Sequence, residues 1–359
     1  MEKYYITTPI YYVNDKPHIG HAYTTILADT ISRFRALIGE KPTFLTGLDE
    51  HGLKVQQAAE KNGKAPQDHC DSMAPAFIDL WKKLNINYSD FIRTTEHRHT
   101  KIVQQILTKV HESGDIYMDE YEGWYSISEE RFITEKELDS GQFGQVKQIK
   151  EKNYFFRMSK YQTTLIDKIE NDELLIQPKS RKNEVLGFLK NELSDLCISR
   201  PKSRLEWGIE LPFDDNYVTY VWFDALINYI SAIGAYSNDE QFSSLWPADV
   251  HLIGKDILTT HSVYWPTMLL SLGLPLPQRI FAHGWWLTDE QKMSKSLGNV
   301  VSPLMLIDDF GVDSVRYYLM SEMVLGMDAT FSSESFEKKY NSDLANDFGN
   351  LVSSCLLYT

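Results

Sequence analysis

Residues 4–8 of the chain read Tyr4-Tyr5-Ile6-Thr7-Thr8, and this run of aromatic and β-branched side chains opens the pattern that decides the fold. Such residues favour a strand. A helical stretch follows from Gly20 to about Leu37, then a second strand, Thr43-Phe44-Leu45-Thr46, and then a helix from Leu53 to Lys61. Strands and helices in alternation predict a doubly wound, parallel α/β sheet of the Rossmann type.

The alternation is interrupted between residues 116 and 216, where short aromatic and charged segments replace it. It resumes with Val218-Thr219-Tyr220-Val221-Trp222, with 250–254 and with 279–284. A nucleotide-binding fold of the HUP type, split by an inserted domain, accounts for this order. We therefore predict four parts. They are the first half of the nucleotide-binding domain at 1–115, an inserted connective domain at 116–216, the second half at 217–325, and the start of an α-helical domain at 326–359.

The bulk composition narrows the class of protein. A formal net charge of −14 argues against a general nucleic-acid coat protein, because backbone binding needs clustered Lys and Arg. Cys70, Cys197 and Cys355 are too few and too far apart to predict a disulfide framework or a zinc site. The first residues lack the pattern of a signal peptide, and no apolar stretch has membrane-spanning length. We therefore expect a cytoplasmic protein without membrane contacts.

Two short strings carry the chemistry. The first, His18-Ile19-Gly20-His21, opens the first predicted helix and is called the histidine tetrapeptide below. In a doubly wound sheet, ligands bind at the carboxyl ends of the strands, and a helix N-terminus presents N–H groups to phosphate. Gly20 allows close approach of a nucleotide, while His18 and His21 can donate hydrogen bonds to phosphate oxygens. The alternative is that both histidines only cap the helix.

The second string, Lys292-Met293-Ser294-Lys295-Ser296, is called the lysine pentapeptide. Two lysines on a loop can neutralise a polyphosphate in the transition state of an attack at the α-phosphate with pyrophosphate leaving. The alternative is a pair of solvated loop charges. The two strings, in this order, predict a catalytic site that holds ATP through His18, His21, Lys292 and Lys295.

The histidine tetrapeptide and the lysine pentapeptide match, without substitution, the two signatures of the class I aminoacyl-tRNA synthetases, which the chain therefore resembles. Within that class it resembles the methionyl-tRNA synthetases. The resemblance covers nearly the whole chain. Further matching blocks are Thr8-Pro9-Ile10-Tyr11-Tyr12-Val13-Asn14, Thr46-Gly47-Leu48-Asp49-Glu50-His51-Gly52, Val221-Trp222-Phe223-Asp224-Ala225, Ile253-Gly254-Lys255-Asp256 and Asn341-Ser342-Asp343-Leu344-Ala345-Asn346-Asp347. The resemblance implies activation of L-methionine with ATP and transfer of the methionyl group to the 3′ end of tRNA(Met).

The resemblance also implies an ATP site that extends beyond the four catalytic side chains. Its expected members are Pro17, His18, Gly20, His21, Gly254, Asp256, His283, Gly284, Trp286, Lys292, Met293, Ser294, Lys295 and Ser296. ATP should arrive with Mg²⁺ held mainly by the phosphates. The carboxylate of the amino acid is already ionised at neutral pH, so activation requires no general base.

Free methionine needs one acid for its ammonium and an aromatic, polarizable pocket for its thioether. Asp49, at the end of the second predicted strand, can hold the ammonium. By resemblance, the pocket residues are Ile10, Tyr12, Trp222, Ala225, Leu226, Tyr229, Ile257 and His261. Leu226 stands where some family members carry proline. The alternative for each aromatic is a place in the core, and His51 is interpreted as a core histidine without a catalytic role.

The inserted segment contains only Cys197, so we expect no structural zinc, although family members often carry cysteine-pair knuckles there. Its size is too small for a hydrolytic editing domain. Basic residues of this segment either touch the tRNA acceptor end or form a solvated face; they are Lys179, Arg181, Lys182, Arg200, Lys202 and Arg204. Since the chain stops where a helical bundle begins, we expect a monomer that forms the adenylate well but charges tRNA poorly.

Two competing functions remain open from the sequence. A nucleotidylyltransferase of the same superfamily would share the histidine tetrapeptide, but such chains lack the long insertion and the lysine pentapeptide in this context. A synthetase-like binding protein without activity is the other alternative. The intact residues His18, His21, Asp49, Lys292 and Lys295 argue against it.

Overall fold

The computed structural model describes residues 2–13, 16–126, 131–133, 138, 146–288, 291–292 and 301–357. Its strands are β1 Lys3–Tyr12, β2 Lys41–Asp49, β3 Asp90–Arg93, β4 Ile116–Ser126, β5 Arg131–Ile133, β6 Val146–Phe156, β7 Leu175–Gln177, β8 Leu196–Cys197, β9 Ser199–Pro201, β10 Glu210–Leu211, β11 Asp214–Thr219, β12 Val250–Gly254, β13 Arg279–His283, β14 Trp286–Thr288, β15 Gln291–Lys292 and β16 Ala329–Phe331.

The α-helices are Ile19–Leu37, Leu53–Lys61, Pro66–Lys83, His97–Glu112, Gln162–Glu170, Lys179–Phe188, Val221–Ala225, Asn228–Ser231, Asp239–Leu245, Trp265–Leu272, Pro303–Phe310, Val312–Glu322, Ser333–Lys339 and Gly349–Leu357. Short 3₁₀ turns lie at Met158–Tyr161 and Lys255–Ile257. Wider π turns lie at Thr260–Tyr264 and Tyr340–Phe348.

The central sheet has six parallel strands in the order β3-β2-β1-β12-β13-β7. The chain runs outward from β1 to β3, and then returns to the other side of β1 with β12. This reversal produces a topological switch point between β1 and β12, where doubly wound sheets bind ligands beyond the strands' carboxyl ends. The predicted doubly wound α/β fold is confirmed.

Helices cover both faces of this sheet, and the strands alternate their side chains between two hydrophobic cores. Tyr5, Leu45 and Ile253 belong to one core, which packs against the helix His97–Glu112. Their sequence neighbours Ile6, Phe44 and Leu252 belong to the other core, which packs against the helix Ile19–Leu37. Because successive residues of a strand point to opposite faces, a strand buried on both faces is a nearly continuous run of apolar residues.

The first strand extends further than its sequence predicts. β1 continues through Pro9 to Tyr12, and its pairing with β2 changes register between Thr7 and Ile10. Proline has no N–H to donate to the ladder, so the irregularity falls there. As a result Ile10 and Tyr12 stay on the strand and reach the switch point.

The predicted inserted domain, 116–216, needs a correction. β4, β5, β6 and β8 form their own antiparallel sheet in the order β5-β4-β6-β8. However, β7 returns to the central sheet as its edge strand, with Ile176 opposite Ile280 of β13. Three residues give too little sequence to be recognised as a parallel strand, and only the tertiary pairing identifies them.

The predicted resumption of the central sheet at 218–222 is wrong. β11 ends at Thr219 and pairs antiparallel with β9 and β10 in a separate three-stranded sheet. The next residues form the helix Val221–Ala225. The run of β-branched and aromatic residues has strand propensity, but tertiary context overrides this propensity after Thr219.

The last part of the chain packs against the core that contains Ile6 and Phe44, through residues that include Tyr318. β14 pairs with β15 on one side and with β16 on the other. The helix Pro303–Phe310 begins after Ser302 and ends before Gly311. In the part of the chain that the structure describes, no helix combines the length and apolar character needed to cross a membrane.

Candidate active site

A cavity of about 360 Å³ opens at the switch point, beyond the carboxyl ends of β1, β12 and β13. Among its lining residues are sixteen that the sequence predicts for the ATP or methionine sites. They are Ile10, Tyr12, His18, Gly20, His21, Trp222, Ala225, Leu226, Tyr229, Gly254, Asp256, Ile257, His261, His283, Gly284 and Trp286. Folding thus brings together segments that lie far apart in the sequence.

One side of the cavity is the N-terminus of the helix Ile19–Leu37. His18 is the N-cap residue: its Nδ1 accepts a hydrogen bond from the backbone N–H of Gly20 at 3.0 Å. The Nδ1 of His21 accepts one from the backbone N–H of His18 at 3.1 Å. The two ring centroids lie 3.9 Å apart, with the ring planes tilted by 38°. The Nδ1 atoms of both histidines therefore cap the helix, as the alternative interpretation predicts.

Capping also fixes the chemistry of the other ring nitrogens. A neutral imidazole carries its proton on one nitrogen only, so an accepting Nδ1 requires an Nε2–H. Burial, together with the neighbouring His18, holds the pKa of His21 well below its usual range, so this ring is neutral near pH 7. Each ring is thereby set as a hydrogen-bond donor through Nε2, which is the role that phosphate oxygens need.

His283 and Thr24 close this side of the cavity. His283 donates from Nδ1 to the carbonyl oxygen of Gly284 at 2.7 Å, and its Nε2 lies 2.8 Å from Thr24 Oγ1. Burial lowers the pKa of His283. Thr24 also contacts the Gly20 carbonyl at 3.1 Å, so it joins the helix N-terminus to the end of β13.

The opposite side of the cavity is apolar and aromatic. Trp222, Ala225, Leu226 and Ile257 line it, with Tyr229 and His261. The Tyr229 hydroxyl lies 2.7 Å from His261 Nε2, and His261 Nδ1 lies 2.9 Å from the Ile257 carbonyl oxygen. Because Nδ1 donates to the carbonyl, Nε2 accepts from the hydroxyl.

The protonation of this pair follows from burial. Burial raises the pKa of the Tyr229 hydroxyl, so it remains a donor. Burial lowers the pKa of His261 to about 4, although its bond to the Ile257 carbonyl acts in the opposite direction. The pair is thus neutral at pH 7. Its two polar hydrogens, on the Tyr229 hydroxyl and on His261 Nδ1, are both donated to protein atoms and not to the cavity. A thioether, which has no donor and accepts only weakly, suits such a wall.

Several predicted residues do not belong to the lining. Asp49 is buried at the end of β2 opposite Tyr12, one strand away from the switch point. Pro17 precedes the helix and is also absent from the lining. Met293, Ser294, Lys295 and Ser296 lie outside the described residues, and only the backbone of Lys292 is described, opposite Leu287 in the β14–β15 pair. Their roles therefore stay predictions.

The lining includes six further residues that were not predicted from the sequence: Pro9, Tyr11, Tyr23, Thr24, Asn228 and Trp285. Most of them are immediate sequence neighbours of predicted residues, and this adjacency is the only feature of the sequence that could have indicated them. Trp285 is held at the rim by bonds from its backbone N–H to Asp328 Oδ1 and from its Nε1 to Asp256 Oδ1. That position depends on the contact with Asp328, 43 residues later.

The charge of the lining is informative. Among the described residues that line the cavity, Asp256 is the only acidic one, and none is Lys or Arg. Lys255 is directed to Asp328, with a 2.6 Å ion pair. A polyphosphate in this cavity would therefore need positive charge from residues outside the described lining. The lysine pentapeptide begins on β15, and β15 pairs with β14, the strand that contributes Trp286 to the lining.

Because four histidines are buried, we expect the free energy of unfolding to decrease as the pH falls. Burial lowers the pKa of His21, His251, His261 and His283. Between the unfolded value near 6.5 and the lower folded values, the unfolded chain binds more protons, so stability is full above about pH 6.5 and falls as the pH drops. For His261 alone the loss by pH 4 is about 3 kcal/mol. Urea unfolding at pH 7.5, 6.5, 5.5 and 4.5 measures it; a constant free energy of unfolding from pH 7 to 5 would contradict it.

Fold and site together define the class: a doubly wound nucleotide-binding protein with a histidine-capped helix at its switch point. The family described as tRNA synthetases class I (M) matches residues 4–143 and 136–356. The chain belongs to this family.

Relatives and solved structures are similar over almost the whole chain. A methionine–tRNA ligase from Clostridium tetani is 53% identical over 356 residues, covering 98% of this chain and 55% of its own length. One from Bacillus subtilis is 48% identical and is likewise covered to 55%. A structure of Mycobacterium tuberculosis methionyl-tRNA synthetase in complex with methionyl-adenylate superimposes with a TM-score of 0.94 at 43% identity, over 98% of this chain and 70% of that one. The chain spans about half the length of the curated relatives it matches.

Proposed function

We propose that this chain activates L-methionine with ATP. A carboxylate oxygen of methionine attacks the α-phosphorus, the bond from that phosphorus to the bridging oxygen of pyrophosphate breaks, and methionyl-adenylate and pyrophosphate result. The observation that carries the proposal is the two-sided cavity. Phosphate donors line one end, a thioether-compatible wall lines the other, and both lie at the switch point of one sheet.

The residues divide the work by chemistry. Nε2–H groups of His18 and His21 donate to phosphate oxygens as charge develops on them, which is the kind of preorganised contact that lowers a barrier most. Trp222, Tyr229 and His261 hold the side chain, and Asp49 is proposed to hold the ammonium. The lysine pentapeptide supplies positive charge to the leaving pyrophosphate. Because reaction is in-line and needs no general base, positioning and electrostatics are the protein's whole contribution.

Mg²⁺ fits this site as a companion of ATP. With Asp256 as the single described carboxylate of the lining, the protein offers too few oxygens to cage the ion alone. When bound with ATP the ion neutralises phosphate charge, and Asp256 is the residue able to contact it or its waters. We propose no structural zinc.

We further propose that the adenylate is consumed by attack of the terminal ribose hydroxyl of tRNA(Met), in the cytoplasm. The support is the name shared by the relatives, methionine–tRNA ligase. We also retain the four-part division of the chain as a proposal, with β7 assigned to the central sheet.

Methionine-dependent exchange of labelled pyrophosphate into ATP tests the activation step. We expect exchange with methionine and none with leucine, isoleucine, valine or cysteine at equal concentration, because these lack the unbranched thioether that the Tyr229–His261 wall accommodates. Absence of exchange with every amino acid would favour the alternative of a binding protein without activity.

A further inference from the structure

A buried carboxylate lies directly behind the methionine side of the cavity. Asp224 is 1% exposed and accepts two hydrogen bonds of 2.7 Å, one on each oxygen, from His51 Nδ1 and His99 Nε2. His99 is itself fully buried, and its Nδ1 lies 2.8 Å from Ser231 Oγ. These four residues are called the carboxylate cluster. None of them lines the cavity.

The cluster joins four separate segments of the chain. His51 follows β2 and Asp49, His99 lies on the helix His97–Glu112, and Ser231 ends the helix Asn228–Ser231. Asp224 lies on the helix Val221–Ala225 between Trp222 and Ala225, which both line the cavity. Trp222, Tyr229 and Asp49 belong to the proposed amino-acid site. Each of them lies within two residues of a member of the carboxylate cluster.

The two helices that carry the lining residues are short. Val221–Ala225 has five residues and Asn228–Ser231 has four. Helices of this length are not stable by themselves, so their position depends on tertiary contacts. A carboxylate with both oxygens bonded to donors from different elements fixes both the position and the rotation of its helix.

The electrostatics agree with a carboxylate that stays ionised. Burial alone would raise the pKa of Asp224, but the contacts with His51 and His99 outweigh burial and lower it to about 2. An ionised carboxylate can only accept, so both imidazoles must present N–H groups to it. The hydrogen-bond directions are therefore fixed, and this makes the geometry behind Trp222 and Ala225 unique.

We infer that His51, Asp224, His99 and Ser231 act as positioning residues that set the affinity for the amino acid by holding the helix Val221–Ala225 against the cavity. This inference rests on the proposed function. A placement error of about 1 Å in a lining group costs up to about a hundredfold, so the cluster influences methionine binding without touching methionine. His18, His21 and His283, the residues proposed to face ATP, lie on segments that the cluster does not join.

The test compares His99→Leu with His99→Gln. Glutamine can place its Nε2 donor where the imidazole Nε2 lies, whereas leucine fills the space and removes the donor. We expect His99→Leu to raise the methionine Kd in equilibrium dialysis, and the methionine KM in pyrophosphate exchange, by about tenfold or more, with the ATP KM within about twofold. His99→Gln should stay within about threefold of wild type for methionine.

A matched control separates positioning from general stability. Asp115 is another buried carboxylate, 2% exposed and bonded to Lys160 and Ser271, and it is not part of the cavity lining. Asp115→Asn should lower the melting temperature without changing the methionine Kd. If His99→Leu does not fold, Asp224→Asn serves instead. It has almost the same shape but replaces one acceptor by a donor, so at least one of its two imidazole bonds must reverse or break.

The outcomes are distinct. An equal effect on methionine and ATP, or no larger effect on methionine than Asp115→Asn produces, overturns the inference. So does a His99→Gln variant as defective as His99→Leu. If the wild-type protein shows no methionine-dependent exchange, the proposed function fails and the inference fails with it. Wild-type exchange with unaffected cluster variants overturns the inference alone.

Discussion

His18→Asn and His21→Asn are each expected to lower the rate of adenylate formation by about 10²–10³-fold, the usual cost of removing one preorganised donor to developing charge. The amide oxygen of Asn reaches the position of the imidazole Nδ1, so it can keep the bonds from the backbone N–H groups of Gly20 and His18. It does not reach the position of Nε2. The variants thus keep the helix cap and remove the donor that faces phosphate.

The experiment is single-turnover adenylate formation with saturating ATP and methionine, accompanied by thermal unfolding. His97→Asn is the control, because His97 is an exposed histidine at the start of another helix. We expect melting temperatures close to wild type for all three variants. Full activity of the Asn variants would mean that the histidines do no more than cap the helix.

Lys295→Ala is expected to reduce the activation rate by about 10²–10³-fold while changing the methionine Kd by less than about threefold. The reason is the charge of the cavity: among its described lining residues no Lys or Arg is present, while the proposed substrate brings a polyphosphate. Lys295 itself lies outside the described residues, and its pentapeptide begins on β15, beside β14.

The experiment compares the effect of the substitution on the rate of activation with its effect on methionine affinity. Pyrophosphate exchange gives kcat, and equilibrium dialysis gives the methionine Kd in the absence of ATP. Lys338→Ala, which removes an exposed lysine from the helix Ser333–Lys339, controls for net charge. Equal losses in rate and in methionine affinity would contradict a role confined to the transition state.

Local patterns in the sequence predicted much of this site. The helix over residues 53–61 and the strand at 250–254 have the predicted bounds, because apolar periodicity and turn residues act within a few positions. The strand predicted at 279–284 ends one residue earlier, at His283. The strand predicted at 218–222 ends at Thr219. The next residues also have strand propensity, but they form the helix Val221–Ala225, whose Asp224 is bonded to distant partners.

The fold class, the family and the residue types that meet at the cavity follow from the amino-acid sequence alone, since motifs and alternating elements are local properties. Tertiary contacts were needed to establish which nitrogen of His18 and His21 carries the proton, which way the Tyr229–His261 bond runs, and that His51 and His99 share one carboxylate. The pairing of Leu175–Gln177 with the central sheet likewise became visible only in the folded chain. Each of these depends on a contact between residues that are distant in the chain or on the burial that such contacts create, and neither is encoded in any short stretch of letters.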